Sequence, residues 1–140
     1  MTDFVIDANV LMSVLISGKA FYRIILSQFN FVLPDFALIE LEKYEDLLKR
    51  KSRMNEEELT RWTYFVFSQI NFLPHYALNS QFVDQAERLL ENIDLKDTSY
   101  VALAMQLDLV LLTRDIPLHK GLRKRGFKKV MLFEDFLRAN

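Results

Sequence analysis

Leu109-Val110-Leu111-Leu112-Thr113-Arg114-Asp115 holds four successive apolar residues and then, past Thr113 and Arg114, a carboxylate. Four apolar residues in a row suit a strand covered on both faces, the pattern of a parallel sheet rather than a half-solvated one. Phe4-Val5-Ile6-Asp7 repeats the arrangement with the acid directly at the end of the run. Between and beyond these stretches, short apolar runs alternate with longer amphipathic segments. Phe31-Val32-Leu33 stops at Pro34, Ile70 to Leu73 stops at Pro74, and Val130-Met131-Leu132 lies near the end.

Helical patterns fill the intervals. One begins near Val10, and a second covers Ala20 to Gln28. A long one is expected from Asp35 through Leu38, Leu41, Leu47 and Leu48 to a basic cluster, with Asp35 as its N-cap. Asn55 caps a helix through Trp62 and Val66, and Ser80 opens another. Asp94 starts one carrying Val101, Ala102 and Met105, a short helix ends at Gly126, and Phe133 to Leu137 forms a last turn. Strand then helix, repeated, predicts an α/β three-layer sandwich with a central five-stranded parallel sheet, one domain over residues 1–140. Such sheets place their sites beyond the carboxyl ends of the strands, which is where Asp7 and Asp115 fall.

Composition narrows the chemistry. The chain has 140 residues, 51% hydrophobic and 26% charged, a globular balance. It has no cysteine, which excludes disulfides, thiolate zinc sites and a catalytic thiol. His75 and His119 are far apart and in no metal-binding spacing. Any metal would therefore rest on oxygen ligands, which suits Mg²⁺ or Mn²⁺. Phosphate-cradling glycine motifs are absent. No apolar run approaches the roughly 20 residues of a membrane span. The apolar start has no basic flank and is interrupted by Asp3 and Asp7, so a cytoplasmic protein without a signal peptide is expected. Net charge is −1, yet Lys49, Arg50, Lys51 and Arg53 cluster, as do Lys120, Arg123, Lys124, Arg125, Lys128 and Lys129. Each cluster reads either as a solvated helix end or as a contact for a polyanion.

The acids admit two readings each. Asp7 is a helix N-cap or a site residue, and its place inside an apolar run favours a site, because a charge beside core strands is costly unless paired, capped or metal-bound. Asp94 and Asp97 resemble a capping box, or else Asp97 points from the first helical turn into the same site, with Thr98 and Ser99 in support. Glu40 lies between apolar Ile39 and Leu41, with Glu42 and Glu45 as competitors. Carboxylates at close quarters cannot all stay ionised without a cation among them. With Mg²⁺ or Mn²⁺ such a cluster can lower the pKa of a bound water and clamp phosphate oxygens, the needs of phosphodiester hydrolysis.

VIDANVL at the start, the glutamate of ALIELEKY, DLKDTSYVALA and LLTRDIPL, taken in order, resemble the PIN-domain nucleases over essentially the whole chain. The resemblance implies a divalent-metal acidic pocket and endoribonuclease activity, most often as the VapC-type toxin of a toxin–antitoxin pair. Position by position, Asp7 matches the first-strand Asp, Asn9 the Asn of Asp-x-Asn, Glu40 the helical Glu, Asp97 the Asp before the apolar helix, and Asp115 the last Asp. On that match Asp7, Asp97 and Asp115 would hold the metal, and Glu40 would act through water. Asn9, Asp94, Ser99 and Thr113 would support them. Lys49, Arg50, Arg114, Lys120, Arg123 and Lys124 are the expected nucleic-acid contacts. An RNA substrate, a cognate antitoxin and a homodimer formed through exposed apolar faces of the early helices complete the expectation. Where many relatives carry Gly-Ala-Asp before the fourth strand, this chain has Gln106-Leu107-Asp108. The rivals are a catalytically weak binding module of the same fold and a phosphotransferase using Asp7 as nucleophile. The second wants an Asp at position 9, where Asn9 stands.

Overall fold

A computed structural model describes residues 2–140. Strands β1 (Thr2–Ile6), β2 (Phe29–Pro34), β3 (Ile70–Leu73), β4 (Val110–Thr113) and β5 (Val130–Leu132) form one sheet in the order β3-β2-β1-β4-β5. Every neighbouring pair is parallel. The chain builds outward from β1 to β3, then crosses back to place β4 on the other side of β1. The order therefore reverses between β1 and β4, the point where open parallel sheets form a crevice.

Helices cover both faces. On one lie α1 (Ala8–Ser17), α2 (Ala20–Gln28), α5 (Glu56–Gln69) and α9 (Phe133–Ala139). Their Val10, Leu11, Ile25, Leu26, Val66 and Phe133 meet Ile6 and Phe31 of the sheet. Phe136 of α9 packs edge-on against Phe4, Phe29 and Phe31, with ring centres 4.9, 5.1 and 6.2 Å away. On the opposite side α7 (Thr98–Leu107) lies against β1, β2 and β4, with α6 (Ser80–Leu90) and α8 (Ile116–Lys124) beside it. From Tyr100 to Ala104 every residue of α7 is buried, which explains its all-round apolar sequence. Among the described residues no helix is long and apolar enough to cross a membrane.

Two local expectations are corrected. The single long helix after β2 is two helices, α3 (Phe36–Lys43) and α4 (Glu45–Lys51), broken at Tyr44 (φ −107°, ψ 19°). No Gly or Pro announces the break. Both pieces rest on α1, and the bend keeps Leu41 and Leu48 on the core. Asp35 makes no cap bond to α3. Its carboxylate instead accepts the His75 backbone N–H at 3.0 Å and approaches the His75 ring nitrogen Nδ1 at 3.2 Å. That contact ties the ends of β2 and β3 together.

Candidate active site

The register between β1 and β4 pairs Ile6 with Leu112, so the next residues along, Asp7 and Thr113, face one another past the last pair. Both are buried. Asp7 is the N-cap of α1 and accepts the Val10 N–H at 2.9 Å through Oδ1. Its other oxygen, Oδ2, accepts the Thr113 hydroxyl at 2.6 Å. The capping and the site readings of Asp7 thus both hold, one oxygen for each. Thr113 in turn accepts the Asp115 N–H at 3.0 Å, and Asp115 caps α8 by accepting the Leu118 N–H at 2.9 Å.

Asp97 sits at the N-cap position of α7, so three helix N-termini bring Asp7, Asp97 and Asp115 to the same edge. Asp97 differs from the other two because it makes no cap hydrogen bond. It is 9% exposed, and its Oδ2 is buried without any partner. The capping box expected of Asp94 and Asp97 does not form. Asp94 accepts the Lys96 N–H at 3.1 Å and so caps a 3₁₀ turn over Leu95–Asp97, with the Lys96 ammonium 3.5 Å from its carboxylate. Ser99, two residues past Asp97, also has a buried hydroxyl oxygen without a partner. Orphaned buried polar atoms are rare in native folds and call for an explanation.

Charge repulsion reaches across the cluster. Burial pushes the Asp7 carboxyl up to about 6, against the pull of its Thr113 and Val10 hydrogen bonds, with smaller pushes from Asp115 and Glu40. Burial also pushes Asp97 up to about 7, with Asp94, Asp7 and Asp115 adding to the rise. Both are ordinarily near 4. Glu40 joins from α3 by accepting a hydrogen bond from the Tyr100 hydroxyl. Glu42 and Glu45, its sequence competitors, instead line a groove between α3, α4 and α5. Burial and the Glu40 carboxylate hold the Tyr100 phenol far above its usual value. Sequence reasoning passed over Tyr100; the one available signal was a hydroxyl in an otherwise apolar helix.

The other expected residues divide. Asn9, exposed in the first turn of α1, shares with Arg114 and Asp115 a cavity of about 330 Å³, which Ser13 and Lys51 also line. From the first basic cluster it is Lys51, rather than Lys49 or Arg50, that faces this cavity. Lys49 stands 3.8 Å from Glu45 on α4 and lines the groove toward α5, and Arg50 is exposed. Lys120 is exposed midway along α8, while Arg123 and Lys124 lie in its last turn, about 12 Å down the helix from Asp115 at 1.5 Å per residue. Arg123 there donates to the Lys128 carbonyl at 3.3 Å. Asp108 has a structural role: it ends α7 with φ 54° and pairs with Lys129 at 2.8 Å.

An all-oxygen set of acids with raised proton affinity and one unpartnered carboxylate oxygen suits a hard divalent cation. As the side chains stand, no three acidic or histidine groups among the described residues are arranged to hold one ion. Mg²⁺ asks for less, since it commonly binds through one or two carboxylates and keeps several waters.

A parallel sheet in this order, with acids from β1, β4 and α7 at its switch point, defines a class, and the PIN domain family profile matches residues 5–133. The chain belongs to the PIN-domain family. Among solved structures it is similar to PAE2754 from Pyrobaculum aerophilum, with TM-score 0.68 and 20% identity, over 99% of this chain and 88% of that one. It is also similar to VapBC2 from Rickettsia felis, a structure bound to a DNA fragment from its promoter, with TM-score 0.60 and 12% identity, over 94% of this chain and 97% of that one. No curated protein matches it significantly.

Proposed function

We propose that the chain is a divalent-metal-dependent endoribonuclease, and that it is the VapC-type toxin of a toxin–antitoxin pair. The observation that carries the reading is Asp97: a buried carboxylate with an unpartnered oxygen, pushed up to about 7 beside Asp7, Asp94 and Asp115. A fold does not keep such a group for stability, because an uncompensated buried charge is costly. Asp7, Asp97 and Asp115 hold Mg²⁺ or Mn²⁺, and Asp94 and Ser99 stand behind Asp97. When bound, the cation supplies the positive charge that lets these carboxylates ionise together and offsets charge on the phosphate.

The chain's own groups do the rest. Thr113 holds Asp7 in place, and Tyr100 holds Glu40, which receives a proton from the attacking water. Attack on phosphorus breaks the bond to the 3′ oxygen and leaves 5′-phosphate and 3′-hydroxyl ends. Arg114 and Lys51, beside Asp115 and Asn9, take the strand's backbone phosphates, with Lys120 further along α8. RNA rests on membership of the family. Likeness to VapBC2 supports a protein antitoxin that covers the acids. Exposed Phe21, Ile24 and Ile39 on α2 and α3 support a homodimer.

The experiment is cleavage of a labelled single-stranded RNA with Mg²⁺ or Mn²⁺, comparing the parent with Asp7→Asn. Metal-dependent cutting abolished by the substitution is the expected result. A parent that binds RNA without cutting it would favour the binding module, the reading that the lack of a ready three-acid arrangement supports.

A further inference from the structure

On the far side of Asp97 from the Arg114 cavity lies a second hollow of about 390 Å³, between the start of α3, the end of β3, α6 and the start of α7. It falls within the roughly 300–1,000 Å³ of small-ligand sites. The two hollows are chemically unlike. The one at Asp115 is lined by Asn9, Ser13, Lys51 and Arg114, groups suited to phosphates. The one at Asp97 is walled by Leu78, Val83, Leu95 and the Phe36 ring, with Ser99 and His75 also lining it.

We propose that this second hollow receives one unpaired nucleobase of the RNA, next to the phosphate being cut. The inference rests on the nuclease reading of the acids and adds a base-reading subsite to it. Single-stranded RNA is read by splaying bases out, stacking them on aromatic rings and hydrogen-bonding their edges. Phe36 supplies the ring, and it is fixed from behind by Tyr100, with ring centres 6.4 Å apart. Ser99 lines the hollow with a hydroxyl oxygen that has no protein partner and can both donate to and accept from a base edge. Its neighbour Thr98 is already committed, donating to the Leu95 carbonyl at 2.6 Å. Lys96 stands at the rim, where its ammonium, 3.5 Å from Asp94, can turn to the adjoining phosphate. Because Ser99 follows Asp97 by two residues, a base on Ser99 places its own phosphodiester at the acids.

The test uses the intact protein with methyl groups isotopically labelled. Each of the four ribonucleoside 5′-monophosphates is titrated in turn, with inorganic phosphate as control, and spectra are followed at Leu78, Val83 and Leu95. At least one nucleotide should shift these methyls saturably while phosphate alone leaves them still. Val83→Trp, which fills the hollow, should weaken that nucleotide's binding by roughly tenfold or more, the scale of one lost base stack. Methyls that stay silent to all four nucleotides, on the unsubstituted protein and so independent of how the variant folds, would overturn the proposal and leave the hollow to a protein side chain. RNA cleavage is assayed in parallel. Shifts without cleavage would keep the subsite and remove the nuclease reading; cleavage with silent methyls would do the reverse.

Discussion

Thr113 gives its hydroxyl proton to Asp7 Oδ2 at 2.6 Å while its oxygen takes the Asp115 N–H at 3.0 Å. One buried side chain at the end of β4 thus links two acids that lie 108 positions apart in the chain. The link depends on register. Moving β4 by one residue against β1 would point Thr113 to the other face of the sheet, and Asp7 would keep only its bond to Val10.

Thr113→Val keeps the shape and removes the hydroxyl. Asp7 then loses the strongest of the effects that hold its carboxyl down, so its titration should move above about 6. Stability should fall by about 1–2 kcal/mol, the cost of one buried hydrogen bond broken on a single side. The pH–rate profile of RNA cleavage should shift to higher pH, and cleavage at neutral pH should drop about 10- to 100-fold, as with other groups that orient metal ligands. A slower enzyme with an unmoved profile would reduce Thr113 to packing.

Tyr100→Phe tests whether Glu40 is held in place. The phenol is 1% exposed and donates to Glu40 across 60 positions of sequence. Its removal should cost about 1 kcal/mol and lower the cleavage rate more than the affinity for RNA. Burial and Glu40 keep the phenol protonated far above its usual range, so the parent should show one tyrosine that forms no phenolate until the protein unfolds in alkali. Absorbance near 295 nm reads this directly. If all five tyrosines titrate normally in folded protein, the contact is absent in solution.

These two residues also mark where sequence reading stopped. The sheet was legible because Phe4 to Ile6 and Leu109 to Leu112 are too continuously apolar for anything but covered strands. The acids at their ends followed from the rule that parallel sheets carry sites at that edge. Even there the strand boundary moved: β4 runs from Val110 to Thr113, because Thr113 completes the ladder opposite Leu132 and its polarity is spent on Asp7. The break at Tyr44 was not legible, since it answers to the surface of α1 and to no local breaker. Nor was the fate of Asp94 and Asp97. Their spacing fits a capping box, and only the 3₁₀ turn between them separates one acid that caps from one that does not. The basic clusters misled for a related reason. Net positive charge along the sequence says nothing about which end of α8 faces the acids.

Asp97→Asn should make the metal-free protein more stable and inactive at once. As a cap it would contribute about 1 kcal/mol, and its loss would destabilise; but Asp97 makes no cap bond and carries a buried charge instead. Because Asp7 and Asp97 take up protons at about 6 and about 7 when folded and near 4 when unfolded, the folded protein holds more protons between those values. Stability therefore falls as pH rises from about 4 to about 7, then levels off. The variant minus parent difference in Tm isolates Asp97: near zero at pH 4, and at pH 8 a gain of about 1 kcal/mol, or several degrees. A variant that melts lower than its parent at pH 8 would restore the capping role.

A divalent cation should reverse that loss, and only where the acids are ionised. At pH 8 Asp7 and Asp97 repel one another and Asp115, and an ion that binds the folded form alone raises its stability by mass action, about 1.4 kcal/mol at ten times its dissociation constant. At pH 5 protons already occupy the two raised carboxyls, so the same Mg²⁺ or Mn²⁺ concentration should shift Tm little. Asp7→Asn and Asp97→Asn should each abolish the pH 8 shift, whereas Asp84→Asn, an exposed acid on α6, should keep it. Sodium chloride at matched ionic strength should not reproduce it, since screening acts on exposed charges far more than on buried ones. Chelation should return the melting curve to its metal-free position. A shift that is equal at pH 5 and pH 8, or that survives both Asp7→Asn and Asp97→Asn, would place the cation elsewhere on the surface. The unpartnered oxygen of Asp97 would then need another ligand.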